Sequence, residues 1–176
     1  MDPVDEIKKN GKLCTLSKGE VLVQQGAIDQ SLYLIETGLL KATYLTYDGH
    51  EFIKSFLQEG ELIGNLTSCL TGEPSTFSII CLEDTQLIKI PFKQFEKLSK
   101  KNSALAQMII DTLLKIIRKK ELREYELLCL DAKSRYENIL ARHPDIYDRI
   151  TQNDIARFIG ITPVALSRIR NRFFAK

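Results

Sequence analysis

Long apolar runs are missing from this 176-residue chain. None approaches the roughly 20 residues that a membrane-spanning helix needs, so no membrane partner is expected. The opening Met1-Asp2-Pro3-Val4-Asp5-Glu6 is acidic and lacks the basic-then-apolar order of a secretion signal. A cytoplasmic protein is the expectation. Cysteine is scarce: Cys14, Cys69, Cys81 and Cys129 are the whole set, and no two stand at C-x-x-C spacing. That pattern excludes a zinc knuckle and a thioredoxin-type motif, and the four are expected to be buried thiols in a reducing compartment. His50 and His143 have no ligand-spaced partners, so no metal site is expected and each is read as a loop or packing residue. A phosphate loop, a nucleophile–base pairing and paired catalytic carboxylates are lacking too. An enzyme is not expected, and no cofactor is implied.

What is present is unevenly distributed. Nine basic and four acidic residues from Lys133 onward leave that segment at +5, and the rest of the chain at −3. A basic C-terminal segment on a near-neutral body suits a polyanionic partner, though a solvated basic face has the same composition.

Two periodicities divide the chain. Up to about residue 90 it reads as short strands over 12–16, 21–24, 31–36, 39–46, 51–57, 76–82 and 86–90, separated by glycines. Asp48-Gly49 between two such runs marks a hairpin. Strands at this spacing predict an all-β sandwich or barrel. After Pro91 the period becomes helical. Phe92, Phe95 and Leu98 line one short amphipathic helix, with Pro91 expected at its first position. A long helix follows over about 102–130. Its stripe of Leu105, Met108, Ile109, Thr112, Leu113, Ile116 and Ile117 is wider than one packing partner needs. One side is read as covering the β-domain and the other a second copy of the helix; burial within a single domain is the alternative. Asp131 is expected to cap a new helix, and Pro144 to end or kink the segment over 136–143.

The densest local signals lie over 150–170. Thr151 is placed to cap a helix whose inner face is Ile155, Ala156 and Ile159, and Gly160 to end it. Thr162 then caps a second helix with Pro163 at its first position, where a missing N–H costs nothing. Leu166 and Ile169 face inward. Helix, tight turn and helix in this order form a motif that lays its second helix in the DNA major groove. Pro163, Val164, Ser167 and Arg168 are then candidates to reach base edges, with Arg168 the best reader because a guanidinium pairs bidentately with guanine. Arg170, Asn171 and Arg172 are expected at phosphates, as are Thr151, Gln152 and Thr162 at the helix N-termini. A plain helical hairpin with a solvated basic face is the alternative on spacing alone.

Taken in order, these pieces resemble the Crp/Fnr family of transcription regulators over nearly the whole chain. The matching stretches are Lys18-Gly19-Glu20, Gln25-Gly26, Leu32-Tyr33-Leu34-Ile35, Gly38, Asp48-Gly49, Gly60-Glu61-Leu62-Ile63-Gly64, Asp131, Arg135-Tyr136, Gly160 and Leu166-Ser167-Arg168-Ile169. The resemblance implies an α+β fold. An N-terminal antiparallel β-roll (a jelly-roll-like double-stranded β-helix) resembling cyclic-nucleotide-binding domains would occupy 1–100. A dimerisation helix would occupy 101–130, and an all-α helix-turn-helix domain 131–176. It also implies a homodimer, joined through Leu105, Ile109, Thr112, Leu113, Ile116 and Ile117, on double-stranded DNA. RNA polymerase and a small-molecule effector are further candidate partners.

The departures from the family matter as much. Cyclic-AMP binders pair a glutamate with the ribose and an arginine with the cyclic phosphate. Here that cassette reads Ile63-Gly64-Asn65-Leu66 and Glu73-Pro74-Ser75-Thr76, with Asn65 for the glutamate and Ser75 for the arginine. Without the cation the phosphate has no charge partner. The helix positions that meet the purine fall near Lys120 and Glu121. Cyclic AMP is therefore not expected to bind, while Gly64, Asn65, Leu66, Ser75, Thr76, Lys120 and Glu121 remain candidates to line a site for another effector. The N-terminal cysteine cluster of iron–sulfur sensors is absent, and nothing points to a haem ligand. Val164 stands where many relatives have a cytosine-reading glutamate, so a different target sequence is expected. The given chain ends at Lys176, just past the recognition helix; the family's β-wing is expected to be lacking, with affinity leaning on dimer avidity. A sensing or protein-interaction module with degenerate, non-specific DNA binding is the alternative function.

Overall fold

The structure, a computed structural model, describes residues 2–142 and 144–174; the expectation for His143 lies outside them. In chain order the elements are α1 (Pro3–Asn10), β1 (Lys12–Leu16), β2 (Val21–Val23), β3 (Ser31–Thr37), β4 (Leu40–Leu45), β5 (Glu51–Leu57), β6 (Leu62–Gly64), α2 (Leu66–Thr71), β7 (Ser78–Cys81), β8 (Thr85–Pro91), α3 (Phe92–Ser99), α4 (Ser103–Cys129), α5 (Ala132–Arg142), α6 (Pro144–Tyr147), α7 (Gln152–Ile159) and α8 (Pro163–Phe174).

The strands form two four-stranded sheets, ordered β1-β8-β3-β6 and β2-β7-β4-β5. Every pairing is antiparallel. The β4–β5 hairpin turns at Asp48-Gly49 as expected, with Gly49 at φ 82°, a conformation that penalises a side chain. Three elements escaped the sequence reading: α1, α2 and the three-residue strand β6. Pro91 ends β8 and sits one residue before α3, not at its first position. Cys69 and Cys81 are buried, but Cys14 is half-buried and Cys129 exposed, which corrects the expectation of four buried thiols. His50 is a loop residue beside Asp48.

Three apolar clusters hold the molecule together. Tyr33, Ile35, Leu40, Ala42, Ile63, Phe77 and Leu87 fill the space between the sheets. Ile7, Leu32, Ile88, Ile90, Phe95 and Leu105 pack α1, α3 and the start of α4 onto the first sheet. The third cluster joins the two ends of the chain. Leu39, Ile53 and Phe56 pack with Tyr136, Ile139, Ile155, Ile159 and Leu166, so the C-terminal helices lean directly on β5.

The long helix divides its apolar residues between two surroundings. Leu105 is fully buried in the protomer's own core, and Met108 and Ile109 pack beside it. Ile110, Leu113, Leu114 and Ile117 are exposed. Of the six residues expected to face a second copy, Leu105 and Ile109 therefore belong to the protomer's interior. Thr112 and Ile116 are half-buried, and Leu113 and Ile117 lie open. Ile110 and Leu114 were missed because the stripe was read as one face.

Candidate nucleic-acid interface and effector site

The C-terminal motif forms from local rules. The Thr151 hydroxyl accepts a hydrogen bond from Asp154 N at 3.1 Å, and Asp154 Oδ2 accepts from Thr151 N at 3.2 Å. This reciprocal capping box satisfies two backbone donors at the start of α7. Gly160 closes the helix at φ 74°, and its N–H donates to Ala156. Ile161 N also donates to the Ala156 carbonyl, at 2.9 Å. The Thr162 hydroxyl then accepts from Ala165 N, and Pro163 opens α8. Ala156 is fully buried under Leu166, which lets the two helices approach closely.

The outward residues of α8 are Pro163, Val164, Ser167, Arg168 and Asn171, which share one helical face and are all exposed. Val164 is 62 % exposed, an unusual place for an apolar side chain without a partner. Arg172, Thr151 and Thr162 are exposed as well. Two expected phosphate contacts sit differently. Arg170 is half-buried, turned toward the Tyr136 hydroxyl, whose other neighbour is the Tyr147 hydroxyl at 3.0 Å. Gln152 is half-buried, with its Oε1 enclosed.

A set of charged contacts that the sequence reading missed fixes this motif to the β-domain. Lys41 on β4 places Nζ 3.0 Å from Asp154 Oδ1 and 3.0 Å from Glu51 Oε1. Arg157 Nη1 meets the other oxygen of Glu51 at 2.6 Å. Burial acts to raise the Asp154 carboxyl, and the Thr151 hydroxyl and Lys41 outweigh it, leaving it below its ordinary value. Arg149, just before α7, donates to both oxygens of Glu83 and both of Glu59. Its hydrogen bonds hold Glu59 down to about 2 and Glu83 below the usual carboxylate range. On α4, Arg123 stacks on the Phe158 ring at 4.1 Å and donates to the Phe158 carbonyl. No spacing rule marks these pairs, because each depends on a long-range juxtaposition.

The expected effector cassette is folded onto its own backbone. Asn65 is 2 % exposed and caps α2 by accepting from Ser68 N, while its Nδ2 is enclosed without a partner. Ser75 is buried and donates to the Phe77 carbonyl at 2.6 Å. Gly64 pairs with Leu32 in the first sheet. Leu66 and Thr76 are exposed, as are Lys120 and Glu121 on α4. Neither cassette position offers a charge. A cation that the sequence reading passed over, Lys54, lies over the Phe77 ring and within electrostatic reach of Lys120.

Comparison with known proteins agrees with this architecture. Residues 13–102 match the family model of the cyclic nucleotide-binding domain. Over 187 aligned positions the chain is 28 % identical to the transcriptional activator protein Anr of Pseudomonas protegens, covering 98 % of this chain and 74 % of Anr. It is 27 % identical to the fumarate and nitrate reduction regulatory protein of Vibrio cholerae over 190 positions, covering 98 % and 72 %. Among solved structures, FixK2 from Bradyrhizobium japonicum superimposes with a TM-score of 0.79 at 17 % identity, over 94 % of this chain and 85 % of FixK2. That likeness is one of fold. No helix among the described residues is long and apolar enough to cross a membrane.

Proposed function

Because this chain belongs to the Crp/Fnr family of transcription regulators, we propose that it acts as a cytoplasmic homodimer reading a specific, two-fold-related DNA site through α8, and that it does so without cyclic AMP. In this reading residues 1–100 are the sensor, 101–130 the dimerisation helix and 131–176 the DNA reader. The observation that carries it is the open face of α8. Pro163, Val164, Ser167 and Arg168 stand free at its N-terminal half, where a recognition helix meets base edges. Arg168 is the guanine reader and Val164 an apolar contact suited to a thymine methyl. Thr151, Thr162, Asn171 and Arg172 are the phosphate contacts; Gln152 and Arg170, half-buried, are the weaker members of the set.

Support for the dimer comes from α4, whose exposed Ile110, Leu113, Leu114 and Ile117 stand at i, i+3, i+4 and i+7. Support for indifference to cyclic AMP comes from Asn65 and Ser75, both buried and both spent on backbone groups. A titration calorimeter should register no binding of cyclic AMP; a micromolar dissociation constant would overturn this part. RNA polymerase is the protein partner that the family implies.

The test is a selection from random duplex DNA with the effector-free protein. A two-fold-symmetric motif with half-sites about 10 base pairs apart is the expected product. Enrichment of no motif, with binding that is uniform across sequences and lost in moderate salt, would favour the second reading, a sensing or interaction module with degenerate DNA binding. The apolar Val164 at the head of α8 is the observation on that side.

A further inference from the structure

The pairing of β4 with β5 is regular except at one place. Ala42 pairs with Ser55 and Thr43 with Ile53, so Lys54 is the extra residue of a bulge. A bulge re-aims a side chain. Ile53 and Phe56 face the C-terminal helices. Lys54 instead places its Nζ 3.6 Å from the centroid of Phe77, a residue of the cluster between the sheets, and 5.8 Å from that of Tyr44. Tyr44 and Phe77 meet edge to face.

This half-buried ammonium differs from the molecule's other enclosed cations. Lys41, Arg149 and Arg157 each face a carboxylate. Lys54 faces two aromatic rings and, across the gap to α4, a second cation, Lys120. Burial, and then Lys120, pull its pKa down to about 8. Two like charges brought together with no acid between them make a position that an anion would relieve. Solvent reaches it, since Tyr44 is 38 % exposed and Lys120 is open.

We propose that Lys54 and Lys120 hold the charged group of a small organic anion between the β5 bulge and α4, with Tyr44 and Phe77 against its apolar part. The proposal rests on reading the β-domain as an effector sensor, and it names the class of effector. The occupant is compact, because a half-buried ammonium cannot meet an extended polyanion. It is not a cyclic nucleotide held in the family's manner, because the cassette position at Ser75 offers only a hydroxyl already donated to Phe77. The cation comes from β5 instead.

The test uses two dyes of one shape on the full chain: 8-anilinonaphthalene-1-sulfonate, and the uncharged N-phenyl-1-naphthylamine. The wild type should bind the sulfonate once per protomer, about tenfold tighter than the neutral dye. Lys54→Met should erase that preference by weakening only the sulfonate, Lys54→Arg should keep it, and Lys93→Met, on the exposed side of α3, should change nothing. Equal affinity of the wild type for both dyes would overturn the proposal. So would a preference that survives Lys54→Met. A misfolded Lys54→Met protein would take up both dyes alike, and Lys54→Arg then decides: loss of the preference in that variant refutes the role, retention supports it. No DNA enters the measurement, so failure of DNA reading by α8 leaves its outcome untouched.

Discussion

Lys41 and Asp154, 113 residues apart in the chain, meet at 3.0 Å in a buried contact between β4 and α7. Asp154 is at the same time the capping residue that starts α7. One carboxylate therefore sets both the local beginning of the first reading helix and its place against the β-domain. Removing one member of a buried pair strands the other. Lys41→Met should cost about 3–5 kcal/mol in urea unfolding. Adding Asp154→Asn should recover part of that cost, since an amide still accepts from Thr151. A double-mutant cycle with no coupling would show that the two act separately.

Acid should loosen the same junction. Glu59 is held down to about 2, and Glu83 and Asp154 are also depressed, so their contribution is present at neutral pH and fades as pH falls below about 5 toward 2. Arg149 does not titrate in this range, but it is the partner of Glu59 and Glu83. Arg149→Gln should thus lower the melting temperature at pH 7 and flatten its fall between pH 5 and pH 2. Parallel curves for wild type and variant would remove Arg149 as the cause.

Arg168 and Arg170 are two residues apart and should behave oppositely. Arg168→Ala should cost about 1–3 kcal/mol of specific DNA affinity and relax base selectivity, with stability unchanged. Arg170→Ala should lower the melting temperature through its place beside Tyr136, and have the smaller effect on DNA affinity. Competition titrations with specific and random duplexes, beside melting curves, separate the two.

Leu105 and Ile117 make a similar contrast along α4. Ile117, 58 % exposed, should tolerate glutamate as a fold yet lose self-association, which sedimentation would register as a shift to monomer. Leu105→Ala, at a fully buried site, should cost about 2–5 kcal/mol of stability. A monomeric wild type would refute the assignment of this face.

Which of these features could be read from the chain follows from the range of the forces behind them. Thr151, Gly160, Thr162 and Pro163 act on their immediate neighbours, so the helix-turn-helix was legible residue by residue. The hairpin at Asp48-Gly49 was legible for the same reason. Helix α1 has a capping Asp2 and Pro3 at its start, but its single buried residue, Ile7, gains its surroundings only from β3, β8 and α4. Strand β6 is three residues long and exists because β3 lies beside it. Lys54 looked like one polar residue in an alternating strand, and a bulge invisible in the sequence re-aimed it. Arg170 sat in a basic run, and Tyr136, far upstream, drew it inward. The effector cassette was read correctly as lacking charge, but the hydrogen bonds that occupy Asn65 and Ser75 needed the fold.

The last turns of α4 carry a further consequence. Lys119 pairs with Glu61 at the turn before β6. Arg123, one turn on, holds the end of α7 through Phe158, and the buried Glu126 accepts from Asn138 and Arg142 on α5. Within eight residues a single rod is clamped first to the β-domain and then to two helices of the reading head. Such a rod cannot roll about its own axis without tearing charged contacts at both clamps, so a twist imposed along its open apolar edge is delivered to α7 as torque.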